Sequence, residues 1–83
     1  MEVRNRLGLH LRAASSLAET VGKFSATVTI ARGKNQVSAR SVTGLMMLGA
    51  GKGSKLKFKA EGPDAREALA AVRALFDNRF GED

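Results

Sequence analysis

The apolar positions of this chain follow two spacings, and the change from one to the other marks out seven elements. Ala14, Leu17, Ala18 and Val21 fall at i, i+3, i+4 and i+7, which is one face of a helix that begins just after His10 and stops at Gly22 and Lys23. Ala26, Val28 and Ile30 then alternate with Ser25, Thr27 and Thr29, the period of a half-buried strand. Gly33, Lys34 and Asn35 supply a turn, and Gln36 to Arg40 returns with Val37 and Ala39 inward, predicting a hairpin.

Ser41 precedes the apolar stretch Val42 to Leu48, where an N-cap serine belongs, so a short second helix is expected there, ended by the loop containing Gly49, Gly51 and Gly53. Leu56, Phe58 and Ala60 alternate with Lys55, Lys57 and Lys59, a strand with one basic face. Pro63 and Asp64 open the last helix, whose stripe Ala65, Ala68, Leu69, Val72 and Phe76 is expected to run out to Phe80. The first segment, Met1 to Arg6, alternates roughly and reads as a strand ending at Leu7 and Gly8. The order is βαββαβα in the α+β class. It predicts a four-stranded antiparallel sheet with three helices on one face, the simplest two-layer arrangement for strands so closely spaced.

The 83 residues make a single domain, 1–83, because two halves would each be too small to bury a core. Without cysteine the domain relies on packing alone. No apolar run approaches the ~20 residues of a membrane span, and no basic-then-apolar export signal opens the chain, so a cytoplasmic protein with no membrane partner is expected. Fourteen Lys and Arg against eight Asp and Glu give a net charge of +6, which favours anionic partners. With four Phe and no Trp or Tyr, stacking on single-stranded nucleic acid is disfavoured as the use of that charge.

The only histidine, His10, stands at the mouth of the first helix, where unpaired backbone N–H groups and the helix dipole favour a phosphate. Neutral imidazole is a competent phosphoryl acceptor, and Arg12, two residues on, can reach phosphoryl oxygens. On these residues alone, the leading reading of His10 is an ordinary surface or capping residue, and Arg12 reads equally as a solvated charge. The stretch GAGKGS at Gly49 to Ser54 fails the phosphate-loop pattern, since Met46 stands where its first glycine belongs and Gly53 follows Lys52.

Leu7-Gly8-Leu9-His10-x-Arg12-x-Ala14 resembles the active-site signature of the histidine-containing phosphocarrier (HPr) family of the phosphoenolpyruvate-dependent phosphotransferase system. Arg40 to Gly49 is similar to the regulatory serine segment of that family, and Ala60 to Asp64 also fits. The resemblance implies an open-faced β-sandwich and a carrier without cofactor or metal, not a turnover enzyme. It also implies that His10 accepts phosphoryl at Nδ1 from phospho-enzyme I, that Arg12 stabilises it, and that an enzyme IIA component receives it. Ser41 would be the regulatory site of an HPr kinase/phosphorylase, and Thr43, Met46 and Met47 would belong to a partner-binding face. A monomer is expected. The motif departs from the family at Ala13, where proline is usual, and at Leu11, where a small residue is usual. Those departures and Thr43 leave room for an HPr-like regulator that acts by partner binding when phosphorylated on Ser41. The basic stripe, with Arg4 and Arg6 placed beside Lys55, Lys57 and Lys59 by the family strand order, reads as a solvated face or as a patch for an acidic protein or nucleic acid.

Overall fold

The computed structural model describes residues 1–82. Helix α1 spans Leu11–Gly22, strand β1 Thr27–Arg32, strand β2 Asn35–Ser38, helix α2 Val42–Met47, strand β3 Lys57–Glu61 and helix α3 Ala65–Asp77, followed by a 3₁₀ turn at Arg79–Gly81. The sheet is antiparallel with order β2-β1-β3. Val28 and Ile30 of β1 point inward, against Leu17 and Val21 of α1, Leu45 of α2, and Val72 and Phe76 of α3. Burying these side chains, at roughly 1.5–3 kcal/mol each, is the main force holding the layers together.

The hairpin closes through Gly33 and Lys34, with Arg32 opposite Asn35 and Gly33 at φ 60°, a conformation glycine adopts without strain. The side chain of Asp64, expected to open α3, makes no cap hydrogen bond to that helix, although its carbonyl accepts from the Ala68 amide at 2.9 Å. Its carboxylate instead accepts from the Ser25 and Ala26 amides at 2.9 and 2.7 Å, tying the start of α3 to the entry of β1.

Two expectations are corrected. Among the described residues the sheet has three strands, not four: in the segment read as the first strand, only Glu2 forms a bridge, opposite Lys55. Backbone bonds join Leu56 to Met1 and Val3 to Ser54, but the Val3 carbonyl then accepts from Gly53, and the chain leaves the edge in a turn around Arg6. A pairing this short cannot build a ladder. Arg4 and Arg6 therefore lie beyond the paired residues, and the residue beside the lysine stripe is the acidic Glu2. The last helix ends at Asp77, not Phe80. Arg79 and Phe80 both adopt left-handed backbone, φ 54° and 56°, which reverses the chain while Phe80 still packs on Phe76 with ring centroids 4.9 Å apart.

Among the described residues no helix is long and apolar enough to cross a membrane.

Candidate functional site

His10 is itself the N-cap of α1, with extended backbone (φ −77°, ψ 179°), and its carbonyl accepts the first helical bond from the Ala14 amide at 2.8 Å. Its side chain does what Ser or Asp usually does there: Nδ1 accepts from the Arg12 N–H at 3.2 Å. An amide N–H can only donate, so Nδ1 carries its lone pair toward the helix mouth.

The other ring nitrogen faces Glu82, with Nε2 at 2.8 Å from Oε1 and 3.1 Å from Oε2. Asn5, fully buried, donates from Nδ2 to the same Oε1 at 2.7 Å and to the Gly8 carbonyl at 2.7 Å. The Glu82 carboxyl is held below its ordinary value, first by the His10 hydrogen bond and then by that of Asn5, with the Arg12 charge adding and desolvation opposing. An ionised carboxylate only accepts, so Nε2 carries the proton, and the two contacts together select one neutral tautomer.

Close packing beneath His10 fixes this geometry. Gly8 has φ 70°, and a Cβ there would stand 2.5 Å from the Ala50 carbonyl oxygen. The Leu9 amide donates to that same oxygen at 2.9 Å, so the loop leaving α2 passes directly under the histidine loop. At the other end, the left-handed pair Arg79 and Phe80 turns the chain back and brings Glu82 to the ring. Non-glycine residues in that region cost about 1–3 kcal/mol each, a strain held here beside the His10–Glu82 contact.

The His10 side chain is 28% exposed and lines an open pocket of about 460 Å³ with Leu7, Leu11, Arg12 and Glu82. Arg12 is exposed, and among the described residues its guanidinium has no carboxylate within salt-bridge reach. Leu7 and Leu11 are 64% and 60% exposed, a rim of apolar surface around the ring. Ala13, where the family motif has proline, is fully buried in the first turn and retains an amide that proline lacks.

Ser41 caps α2, its exposed Oγ accepting from the Gly44 amide at 3.0 Å. At the far end of that six-residue helix, Arg32 donates to the Leu48 carbonyl at 2.9 Å. Leu45 and Leu48 are core, while Thr43 is exposed and Met46 and Met47 are 44% and 79% exposed. Sequence reasoning placed His10 and Arg12 together and missed Glu82, Asn5, and the exposure of Leu7 and Leu11. No local signal points to Glu82, which lies 72 residues from its partner. The substitution of leucine at position 11 was visible, but its exposure needed the helix phase.

Comparison with known proteins gives one consistent answer. The family model for the PTS HPr component phosphorylation site matches residues 1–78. The chain is 47% identical to the phosphocarrier protein HPr of Cupriavidus necator, over 94% of this chain and 88% of that one. It is 46% identical to the phosphocarrier protein NPr of Shewanella violacea, over 94% and 86%. Two crystal structures of HPr from Thermoanaerobacter tengcongensis superpose on it. One gives a TM-score of 0.96 at 37% identity over 100% of this chain and 93% of that one. The other, described as a dimer, gives 0.84 at 38% identity over 99% and 94%.

Proposed function

From the premise that this chain belongs to the HPr family of phosphocarriers of the phosphotransferase system, we propose that it accepts a phosphoryl group from phospho-enzyme I on Nδ1 of His10 and passes it to an enzyme IIA component. The single observation that carries this reading is the fixed tautomer of His10, whose Nδ1 lone pair meets the open end of α1 while Nε2–H is held by Glu82.

The chemistry follows from that arrangement. The Nδ1 lone pair attacks phosphorus as the bond to the donor breaks, and the donor group leaves with the bonding electrons. The proton stays on Nε2, so positive charge develops on the ring and the Glu82 carboxylate offsets it. The Arg12 amide, released from the nitrogen lone pair, turns to a phosphoryl oxygen together with the Leu11 and Ala13 amides, which have no backbone acceptor at the start of a helix. The Arg12 guanidinium adds charge-assisted bonds to the same oxygens and to acidic side chains of the partner. Transfer onward reverses each change. The site needs no cofactor or metal, is open enough for two partners in turn, and serves a carrier instead of a turnover enzyme.

In this reading the chain acts as a single domain in the cytoplasm, as a monomer, and Thr43, Met46 and Met47 join Leu7 and Leu11 in the docking face. Ser41 is the site of an HPr kinase/phosphorylase. A phosphate there adds about −1.5 to −2 charges to that face and weakens docking of an acidic partner. The retained His10 and Arg12 favour the relay over a purely regulatory role exercised through phosphorylated Ser41. Incubation with enzyme I and phosphoenolpyruvate should add one acid-labile, hydroxylamine-sensitive phosphoryl group, lost in His10→Ala. No label on His10 there, with acid-stable label added instead by ATP and an HPr kinase/phosphorylase and lost in Ser41→Ala, would favour the regulatory role.

A further inference from the structure

Helix α3 has a second face that the core does not use. Ala68, Val72 and Phe76 are buried against the sheet, but Arg66, Leu69, Ala70 and Arg73 fall at i, i+3, i+4 and i+7 on a different side. Leu69, which the sequence pattern assigns to the core stripe, is half-buried and stands outside the core cluster. With Met1, Leu56 and Phe58 these residues line a groove of about 660 Å³ between α3 and the edge strand β3. None of its lining residues belongs to the His10 pocket. The floor is apolar, and both ends of the helix face carry a guanidinium with no carboxylate in salt-bridge reach among the described residues.

The spacing and the charge select an occupant. Arg66 and Arg73 are two helical turns apart, about 10 Å along the axis. A partner helix lying along the groove repeats that distance between carboxylates one heptad apart, with apolar residues at the third and fourth positions between them to cover Leu69 and Ala70. A basic chain of net charge +6 favours approach by such an acidic segment. We propose that the groove between α3 and β3 is a docking site for an acidic amphipathic helix of a partner protein, with Arg66 and Arg73 pairing carboxylates seven residues apart across the apolar floor. The site is independent of phosphoryl transfer on His10.

The probe is a blocked synthetic helix of about 18 residues with glutamates one heptad apart and leucines at the intervening third and fourth positions. Its control is an isomer of the same composition with the glutamates moved to the opposite face. Titrated into isotopically labelled full-length protein, the probe should shift amides at Phe58, Leu69 and Ala70 and bind more weakly as salt rises. It should lose at least about tenfold affinity to the Arg66→Glu/Arg73→Glu double variant and keep binding to Arg66→Lys/Arg73→Lys. Helical circular dichroism and unchanged phosphorylation on His10 show that the variants are folded. Equal binding of the isomer to the wild-type protein overturns the proposal. So do shifts centred on Lys55 and Lys59 without Leu69, or a groove that takes dodecyl phosphate but not the peptide.

Discussion

The Nε2 atom of His10 lies 2.8 Å from Oε1 of Glu82, a contact between residues 72 apart that leaves only Nδ1 free to act as a nucleophile. Replacing Glu82 by Ala should therefore release the tautomer and slow phosphoryl transfer by about two- to fivefold, the modest range of a partly solvated pair. Glu82→Gln, whose amide oxygen still accepts from Nε2–H, should recover part of the rate. Stopped-flow transfer assays combined with ¹⁵N shifts of the ring nitrogens distinguish this from a folding defect, because only loss of positioning moves the tautomer population.

The same carboxylate makes stability depend on pH. Its folded-state value lies below the ordinary carboxylate value, so the folded protein holds this proton less tightly than the unfolded chain does. The stabilisation is present above the unfolded value, near pH 4.3, and is lost as pH falls through the lower folded value. Urea unfolding of the wild type and Glu82→Gln should show a stability difference at pH 6 that shrinks below about pH 4. A difference that grew toward acid would reverse the sign of this linkage.

Gly8→Ala should destabilise the fold by about 2 kcal/mol or more, since alanine there combines left-handed backbone with a Cβ 2.5 Å from the Ala50 oxygen. Chemical denaturation measures the loss. Because the loop carries His10, the transfer rate should fall as well, even under conditions where the variant remains folded.

Leu11 and Met47 are exposed apolar side chains without a structural task in the core. The double variant Leu11→Ser/Met47→Ser should leave the melting temperature within a few degrees of the wild type. It should raise the KM for transfer from enzyme I about tenfold with little change in kcat, as expected when interface contacts are removed from the docking step.

How much of this was legible in the chain depends on how local each signal is. The α1 face from Ala14 to Val21 and the β1–β2 hairpin around Gly33 are written in neighbouring residues, and the structure follows them closely. The expected first strand does not form because a strand exists through its partner, and the pairing of Met1 to Val3 with Ser54 to Leu56 fails after three residues. Phe80 continues the apolar period of α3, yet it reaches Phe76 from a reversed backbone whose left-handed residues begin at Arg79 and Phe80, before the glycine of the turn, Gly81. That reversal also delivers Glu82, so half of the histidine's surroundings lay beyond any periodicity argument. The place of His10 and Arg12 at a helix start was legible because it follows from the apolar spacing of the residues just after them.

The claim on which the account turns is that phosphoryl transfer uses Nδ1 and not Nε2. Protein labelled with ¹⁵N in the imidazole ring, phosphorylated by enzyme I and phosphoenolpyruvate, allows the P–N bond to be located by NMR through the coupling between ³¹P and the ring nitrogen. The expected spectrum shows the coupling at Nδ1, with the proton retained on Nε2. Coupling at Nε2, or no phosphorus on the ring at all, would contradict it.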